Sequence, residues 1–301
     1  TLLLGRPSHQ GGMAVAMTEL DRRLHAFRED LADVALEGQV ETERFTEGQP
    51  GVVCVGAADL RRAPDATTGI DTQLLFGEPV TVFDVRDGWA WVKNRRDGYV
   101  GYLRAGALDG PTGAPTHQVA ALRTFLYPEP DMKTPVKAAL PLTSLVRVVG
   151  ERDGWAEVAG AGWVFALHLE GLGERGGGSV REVLCQTALR LEGMPYRWGG
   201  KESTGLDCSA LVQVAMHLQG LDCPRDSDMQ AASVGNLVED EAEIERGDLL
   251  YFPGHVAIAL DEERVVHATA NSMDVCVEPL QAVVERAVAE SGRGLTAIRR
   301  L

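Results

Sequence analysis

The chain contains 301 residues, of which 45% are apolar and 24% are charged, and its formal net charge is −15. This composition is typical of a globular protein, and the length predicts two or three domains. The negative charge disfavours a nucleic-acid partner, because phosphate binding requires a clustered cationic surface. No apolar run approaches the roughly 18 residues that a membrane-spanning helix needs, so we expect no membrane partner.

Five cysteines are scattered along the chain, and none belongs to a CxxC pair: Cys54, Cys185, Cys208, Cys223 and Cys276. An odd number without short spacings disfavours a disulfide framework or a zinc knuckle and is typical of a reducing compartment. The first residues lack a basic leader followed by an apolar run and a small-residue cleavage site. We therefore expect a cytoplasmic protein, unless the natural N-terminus has been trimmed.

The first 44 residues have a texture of their own. "TLLLGRPSHQGG" is a short apolar stub that ends in glycines, so Met13 or Met17 is an alternative first residue. The stretch that follows, as in "ELDRRLHAFREDLADVALEG", mixes helix formers with charge. Residues 1–44 are therefore predicted to form an N-terminal arm or one or two short helices.

Residues 45–111 contain short β-rich runs that Gly, Pro and Asp separate, which predicts a small all-β barrel. Residues 115–172 repeat the pattern, since "PVTVFDVRDGWAWV" is echoed by "LVRVVGERDGWAEV". Each copy predicts a hairpin with an Asp-Gly turn and an inward-facing tryptophan. Each repeat resembles the bacterial SH3-like domain, so we expect two tandem SH3-like barrels.

The R-D-G-W tetrapeptide that both copies share aligns the two repeats. It equates Trp89 with Trp155. If two residues are deleted from the second copy, Tyr99–Val100 corresponds to Trp163–Val164.

Residues 174–301 combine helices and strands. Ser179, followed three residues later by Glu182, forms a capping box before an apolar helical stripe that Gly193 ends. A second helix begins near Asp207 or Cys208. The strand patterns "DLLYF", "HVAIAL", "RVVHAT" and "SMDVCVEP" follow, and the helix "LQAVVERAVAE" precedes a last strand, "LTAIRRL". Helices followed by an antiparallel sheet predict an α+β domain behind the two barrels.

Cys208 lies in the first turn of the second predicted helix, where unpaired amides and the helix dipole favour a thiolate. His255 and His267 lie on a predicted hairpin. If Asp261 to Glu263 form a three-residue turn, both imidazoles point to the same face, whereas a two-residue turn separates them. The three-residue register gives Cys208 as nucleophile, His255 as base and His267 as the orienting third group.

Simpler interpretations stand beside this one. Cys208 is alternatively an apolar residue of the core, or a ligand with His255 and His267 of a zinc site, although no short ligand pair supports zinc. We expect no metal and no cofactor. The other cysteines are expected in the core or in packing: Cys54, Cys185 and Cys276 in the core and Cys223 in packing. His217 is expected on the surface.

Three separated segments resemble the NlpC-type (NlpC/P60) cell-wall cysteine peptidases, a papain-like family: "PYRWGGKESTGLDCSALVQVAM", "RGDLLYFPGHVAIAL" and "RVVHATA". The resemblance covers roughly residues 179–301 and implies a papain-like α+β domain. It assigns Cys208 as nucleophile, His255 as general base and His267 as third member. It also implies that Tyr196 and the Cys208 amide stabilise the oxyanion. The alternative for Tyr196 is a packing aromatic.

The order of two SH3-like barrels before the peptidase is similar to the γ-D-glutamyl-L-diamino acid endopeptidases, the dipeptidyl-peptidase VI subgroup. This resemblance implies hydrolysis of the γ-D-glutamyl–diamino acid bond in free murein peptides with an N-terminal L-Ala. Acidic groups would select the free α-amine. The implied substrate-binding residues are Asp207, Ser209, Asp226, Ser227, Asp71 and Tyr99. Asp226 is alternatively a helix cap, and Tyr99 is alternatively a residue of the barrel core.

We thus expect a cysteine peptidase that acts on a murein peptide in cell-wall recycling. The rival from another functional class is a catalytically silent module that binds wall peptide through its tandem SH3-like barrels. A related amidase or acyltransferase is a third alternative, which the amine-pocket residues disfavour.

Overall fold

The structure is a computed structural model that describes residues 20–173 and 178–301. Along the chain it comprises an N-terminal arm (20–48), a first β unit (49–109), a second β unit (117–171) and an α+β unit (178–301). The alternative first residues Met13 and Met17 lie outside the described residues. In the described part of the chain, no helix is both long enough and apolar enough to cross a membrane.

The N-terminal arm lies along the first β unit. Within the described residues 20–44 it contains no α-helix, so of the two predicted forms it takes that of an arm. Leu31 is buried against Phe83 and Trp91, and the Arg28 guanidinium lies 4.3 Å from the centre of the Trp91 ring. Two short strands of the arm pair in parallel: β1 (Ala32–Asp33) and β2 (Phe45–Thr46).

The first β unit has seven strands. They are β3 (Gln49–Val53), β4 (Ala57–Leu60), β5 (Thr72–Leu75), β6 (Pro79–Arg86), β7 (Trp89–Asn94), β8 (Val100–Arg104) and β9 (Leu108–Asp109). Five form an antiparallel sheet in the order β8-β7-β6-β3-β9, and β4 and β5 form a separate hairpin. Val53, Leu74 and Leu103 belong to the apolar core that these strands enclose.

The second β unit has eight strands and a core of its own. They are β10 (His117–Val119), β11 (Arg123–Leu126), β12 (Ala138–Pro141), β13 (Leu145–Val146), β14 (Val148–Arg152), β15 (Trp155–Val158), β16 (Gly162–Phe165) and β17 (Leu169–Gly171). The sheet orders are β13-β10-β17 and β14-β15-β16, with a β11–β12 hairpin. Val119, Leu140 and Val164 are completely buried in the core.

The shared R-D-G-W tetrapeptide forms the same turn in both β units. Asp87 and Asp153 have φ values of 53° and 50°, and the glycine after each also has positive φ. Two consecutive residues with positive φ are what a type I′ hairpin turn requires. Trp89 is buried after the first turn, whereas Trp155 is only half-buried after the second.

The pairing of the next strands corrects the alignment of the repeats. The first tetrapeptide tryptophan pairs with Arg104, 15 residues further on, and the second pairs with Phe165, only 10 residues further on. This register equates Tyr102–Leu103 with Trp163–Val164. The predicted match of Tyr99–Val100 was wrong, because the second copy is shorter by five residues rather than two.

The α+β unit places helices on both faces of one sheet. Its elements are α1 (Val180–Arg190), β18 (Lys201–Glu202), β19 (Gly205–Leu206), α2 (Cys208–Leu218), α3 (Ser227–Ser233), β20 (Asn236–Val238), β21 (Leu249–Phe252), β22 (His255–Ala259), β23 (Arg264–Thr269), β24 (Asp274–Pro279), α4 (Leu280–Ser291) and β25 (Ala297–Arg300). The antiparallel sheet has the order β20-β25-β21-β22-β23-β24. α1 and α2 share one apolar core with the sheet, and α4 packs into another.

Short 3₁₀ turns complete the structure: Val34–Leu36, Ala105–Ala107, Ala166–His168 and Glu241–Glu243. Of the elements in the α+β unit, β18, β19 and β20 were not predicted from the sequence, and α3 entered only as the helix that Asp226 would cap. All four are short, so their apolar periodicity is weak.

A buried lysine joins the first β unit to the α+β unit. The Lys201 ammonium is completely buried and donates to Glu78 Oε1 at 3.0 Å. Its backbone amide donates to Gln73 Oε1 at 3.0 Å. Asp97 lies 3.9 Å from the same ammonium and accepts a hydrogen bond from Gln213 of α2. The first β unit is thereby fixed against α2.

Lys201→Met should destabilise the protein by about 3–5 kcal/mol, because the buried Glu78 carboxylate then keeps only the longer of its two ion pairs, with Arg96 at 3.4 Å. Thermal and urea unfolding measure the effect, with the exposed Lys133→Met as the matched control. Equal stability of the two variants would show that the buried pair does not hold the units together.

Candidate active site

Cys208 is the first residue of α2, and Asp207 is the N-cap of this helix. The Asp207 carboxylate accepts the Ala210 amide at 2.9 Å, so the capping side chain fixes where the helix begins. Cys208 is only 8% exposed, and its sulfur lies near the backbone amide of Val256 in β22, which acts to lower the pKa of the thiol. Since Val256 follows His255, the sulfur lies beside the start of the strand that carries the histidine.

The surroundings of Cys208 favour the thiol over the thiolate. Burial raises the pKa of the Cys208 thiol to about 12, and the charge of Asp207 acts in the same direction. The amides of Val256 and Ser209 and the cation of Arg225 lower this pKa, but they do not outweigh burial. The expectation of a resting thiolate therefore differs from the structure, in which a neutral thiol is the favoured form.

His255 and His267 point to the same side of the sheet. The Leu260 amide donates to the Arg264 carbonyl, and Ile258 pairs with Val266, which confirms the predicted three-residue turn. His255 Nε2 lies 2.8 Å from His267 Nδ1, so the two rings share one hydrogen bond. His255 Nδ1 is the ring nitrogen that this bond leaves for another partner.

Both imidazoles are held neutral. Burial lowers the pKa of His255 to about 3, and the neighbouring His267 adds to the effect. Burial likewise lowers the pKa of His267 to about 4, assisted by the Arg286 cation. Each ring therefore carries one proton near neutral pH, and the bond between them fixes where those protons lie.

Glu278 extends the histidine pair, and the sequence analysis missed it. Its Oε2 lies 3.3 Å from His267 Nε2 and also accepts a hydrogen bond from Arg286 of α4. The contact with His267 has the length of an ion pair but not the alignment of a hydrogen bond. β24 pairs with β23 so that Cys276 faces His267, and Glu278 comes two residues later. Pairing the two predicted strands in this register would have found it.

Tyr196 lies near Cys208 and Asp207. Burial raises the pKa of its phenol, and both of these neighbours raise it further. The hydroxyl thus stays protonated and can donate a hydrogen bond. The backbone of Tyr196 bridges to Leu206, which brings the ring to the N-terminus of α2.

Asp207 and Ser209 were predicted to bind substrate, but the structure engages both side chains elsewhere. Arg225, which is completely buried, binds the two Asp207 oxygens at 3.0 and 2.7 Å. It also donates to the Ser209 hydroxyl at 2.8 Å, and that hydroxyl donates to Asp207 at 3.2 Å. Asp207 is thus a neutralised structural anion rather than a free charge for an ammonium group. Arg225 was not identified from the sequence.

Asp226 and Tyr99 meet across the junction of the α+β unit and the first β unit. Asp226 occupies the N-cap position of α3, but its carboxylate accepts the Tyr99 hydroxyl at 3.1 Å and Arg23 at 2.8 Å. Burial raises the pKa of Asp226, against the lowering effect of Arg225 and Arg23. Asp226 therefore stands at the cap position, but its side chain makes no capping hydrogen bond to the helix.

Tyr99 belongs to the core of the first β unit through its ring and also contacts Asp226 of the α+β unit through its hydroxyl. The negative charges of Asp226 and Asp71 raise its pKa after burial, so Asp71 lies near enough to act on it. Asp71 itself accepts Arg62 at 2.7 Å. Asp71, Tyr99 and Arg23 line one cavity of about 480 Å³, and Ser227 follows Asp226 at the first position of α3.

The described residues contain one group of three or more side chains that could hold a metal ion, and it consists of His267, Cys276 and Glu278. Cys208 and His255 are not part of it, so the geometry does not support the zinc alternative built on these two residues.

Three expectations about packing need correction. His217 was expected on the surface, but it is buried in α2, and burial lowers the pKa of its ring well below the ordinary value. Cys276 was expected in the core, yet it is partly exposed, as is Cys54. Cys185 and Cys223 are buried, as expected. All the cysteines of the described residues are free thiols.

Two family models match the chain. The NlpC/P60 family matches residues 193–289, which include the Cys208 and histidine segments. The bacterial dipeptidyl-peptidase Sh3 domain matches residues 60–108, within the first β unit. Neither of these two family models covers the second β unit.

Similar proteins cover most of the chain. Dipeptidyl-peptidase 6 of Lysinibacillus sphaericus is 27% identical over 76% of this chain and 91% of its own length. Gamma-D-glutamyl-L-lysine dipeptidyl-peptidase of Bacillus subtilis is 26% identical over 68% of this chain and 75% of its own length.

A solved structure shares the fold. The crystal structure of an NlpC/P60 family protein from Bacillus cereus aligns with a TM-score of 0.73 at 21% identity, covering 84% of this chain and 99% of that one. These matches decide against a silent binding module: the chain carries an NlpC/P60 peptidase domain behind a bacterial SH3 domain, and it is a cysteine peptidase.

Proposed function

We propose that this peptidase hydrolyses the γ-D-glutamyl–diamino acid bond of free murein peptides that begin with L-Ala. The observation that carries the proposal is the contact of Asp226 with Tyr99, next to the helix that begins with Cys208. A partly buried carboxylate such as that of Asp226 suits an ammonium group. The similar protein from Bacillus subtilis is by name a γ-D-glutamyl-L-lysine dipeptidyl-peptidase, which agrees with this substrate class.

In the proposed mechanism the Cys208 sulfur attacks the side-chain carbonyl of the D-glutamyl residue. His255 accepts the thiol proton as the C–S bond forms and then delivers it to the departing amine of the diamino acid. Water, activated by His255, resolves the thioester and releases the dipeptide. Since both groups are neutral at rest, the proton moves during attack rather than before it.

The protonation of the histidine pair follows from this role. His255 needs an unprotonated Nδ1 to act as base, so its proton lies on Nε2 and is donated to His267 Nδ1. His267 then carries its proton on Nε2, which lies 3.3 Å from Glu278. His267 orients the base, and Glu278 stabilises the resulting charge. Tyr196 and the Cys208 amide would donate to the oxyanion.

The amine-binding role of Asp226 explains why cleavage would release a dipeptide. Arg225 binds Asp207, so the residues that follow these two, Asp226 and Cys208, are held at a fixed separation. A substrate whose ammonium pairs with Asp226 presents the same bond to Cys208 each time. Asp71 and Ser227 border this site and are the further candidates for contacts with the L-Ala residue.

We also propose that the second β unit is a second SH3-like barrel. Both units contain the R-D-G-W turn inside a three-stranded meander, β6-β7-β8 in the first and β14-β15-β16 in the second. In both, a 3₁₀ turn follows the last strand of the meander. The bridge between Arg61 and Tyr102 in the first unit has a counterpart between Tyr127 and Trp163 in the second.

The free thiols and the net charge of −15 support a cytoplasmic role in recycling wall fragments.

Cys208→Ala should abolish cleavage of L-Ala-γ-D-Glu-L-Lys and its diaminopimelate analogue, because no other group forms the thioester. Mass spectrometry of the digests measures the released L-Ala-γ-D-Glu. Cys54→Ala removes a different free thiol and should retain full activity. Turnover by Cys208→Ala would exclude the assigned nucleophile.

Asp226→Asn should raise KM for the free peptide by about 10- to 100-fold, the loss expected for a hydrogen bond to a charged group of 1.5–3 kcal/mol. N-acetylation of the substrate should weaken turnover by wild type to a similar extent. Asp222→Asn, a nearby exposed position, is the control. If acetylated and free peptides are cleaved equally well, Asp226 does not bind the amine.

Arg23→Gln should lower KM for the free peptide several-fold. The Arg23 guanidinium lies 2.8 Å from Asp226 and must yield to an incoming ammonium group. Arg22→Gln, at the neighbouring position, controls for net charge. A rise in KM for Arg23→Gln alone would instead assign Arg23 to substrate binding.

A further inference from the structure

Beyond His267, on the side away from His255, three metal-binding side chains converge. His267 Nε2, the Cys276 sulfur and a Glu278 oxygen lie within 4.8 Å of one another. The pairing of β23 with β24 sets His267 opposite Cys276, with Glu278 two residues further along the same face. Two rigid strands therefore hold these atoms together, and no loop is needed.

An unsatisfied nitrogen points into this cluster. The His267 side chain is 0% exposed, and its Nε2 has no hydrogen-bond partner within residues 20–173 and 178–301. A buried polar atom without a partner is costly, so it marks a place for a ligand. Glu278 Oε2 is 3.3 Å from this nitrogen, close to the separation of about 3.4 Å between two ligands of a tetrahedral zinc ion with bonds near 2.0–2.1 Å.

The charges around the cluster suit a divalent cation. Ser272 contacts the Cys276 sulfur at 3.5 Å and donates to Asp274 at 2.6 Å, which brings a second carboxylate to the site. Arg286 pairs with Glu278 and opposes a cation. With Cys276 bound as a thiolate, three negative charges face that one guanidinium, so a divalent ion restores the balance.

We propose that His267, Cys276 and Glu278 bind one Zn²⁺ and that this ion switches off the peptidase. A ligand set of one nitrogen, one sulfur and one oxygen is typical of zinc, whereas magnesium and calcium take oxygen ligands. Metal binding is independent of the proposed function; its inhibitory effect rests on the proposed catalytic roles of Cys208 and His255.

The shared hydrogen bond of the histidines couples the ion to catalysis. A metal on His267 Nε2 releases the proton of that nitrogen, so the ring must carry its proton on Nδ1. The proton of His255 Nε2 moves to His267 Nδ1, which then donates the shared hydrogen bond back to His255 Nε2. The proton that the metal displaces from His267 Nε2 is taken up at His255 Nδ1. The total on the two rings is unchanged, and the Cys276 thiol releases its proton to solvent. His255 Nδ1 now carries a proton and cannot accept that of Cys208.

Binding is tested with Co²⁺ on the Cys208→Ala variant, which removes the proposed nucleophile as a ligand. We expect a thiolate-to-cobalt absorption band in the near ultraviolet that disappears in Cys208→Ala/Cys276→Ala. The band should remain in Cys208→Ala/Cys54→Ala. No band in Cys208→Ala, or a band that survives removal of Cys276, would overturn the site whether or not the enzyme cleaves murein peptides.

Inhibition is tested by titrating Zn²⁺ into peptidase assays of wild type and Cys276→Ala. Both should have the same activity without metal, and Cys276→Ala should need at least about tenfold more zinc for equal inhibition. Equal sensitivity would place the inhibitory ion on Cys208 and His255 and would overturn the coupling. The cobalt spectra judge the metal site separately, so failure of the murein assay cannot be mistaken for failure of the site.

Discussion

The buried ion pair of Asp207 and Arg225 is the interaction on which the rest of the site depends. Arg225 binds both Asp207 oxygens, the Ser209 hydroxyl and Thr72 of the first β unit. Burial opposes its charge, but the carboxylates of Asp207, Asp226 and Asp97 together outweigh this cost and raise the Arg225 pKa. A buried pair gains little over an apolar one in stability. Its use here is positional, because the next residue after each partner is a candidate site residue.

Burial has opposite consequences for the two halves of the candidate catalytic pair. It disfavours the charged form of both groups, so the Cys208 pKa rises and the His255 pKa falls. The ion-pair state of Cys208 and His255 is therefore higher in energy than the state in which both are neutral. Substrate contacts from the oxyanion donors act on the charge that develops during attack, which is where stabilisation raises the rate.

Sequence reasoning succeeded where the chain is locally determined and failed where distant segments meet. The turn after Leu260 could be narrowed to two lengths, and the three-residue turn on which the histidine pair depends is the one observed. Helix α2 could be predicted from its N-cap and its apolar run. Arg225 could not, because the sequence does not say which of many arginines will face Asp207. Likewise, the match of Tyr99–Val100 with Trp163–Val164 failed because turn length, not similarity, sets the register between repeats.

The residues of the candidate amine site come from three different parts of the chain. Asp226 comes from the α+β unit, Tyr99 from the first β unit and Arg23 from the N-terminal arm. The carboxylate alone would attract any cation, and the phenol alone would stay in the core of its β unit. The contacts of Lys201 and Arg225 with the first β unit help to bring Tyr99 to Asp226, and the Val100 amide donates to the Arg23 carbonyl and holds the arm beside them. The proposed selection of a free amine would thus be a property of the assembled chain. A peptidase domain without the first β unit would keep Cys208, the candidate nucleophile, but would lose Tyr99 from the candidate amine site.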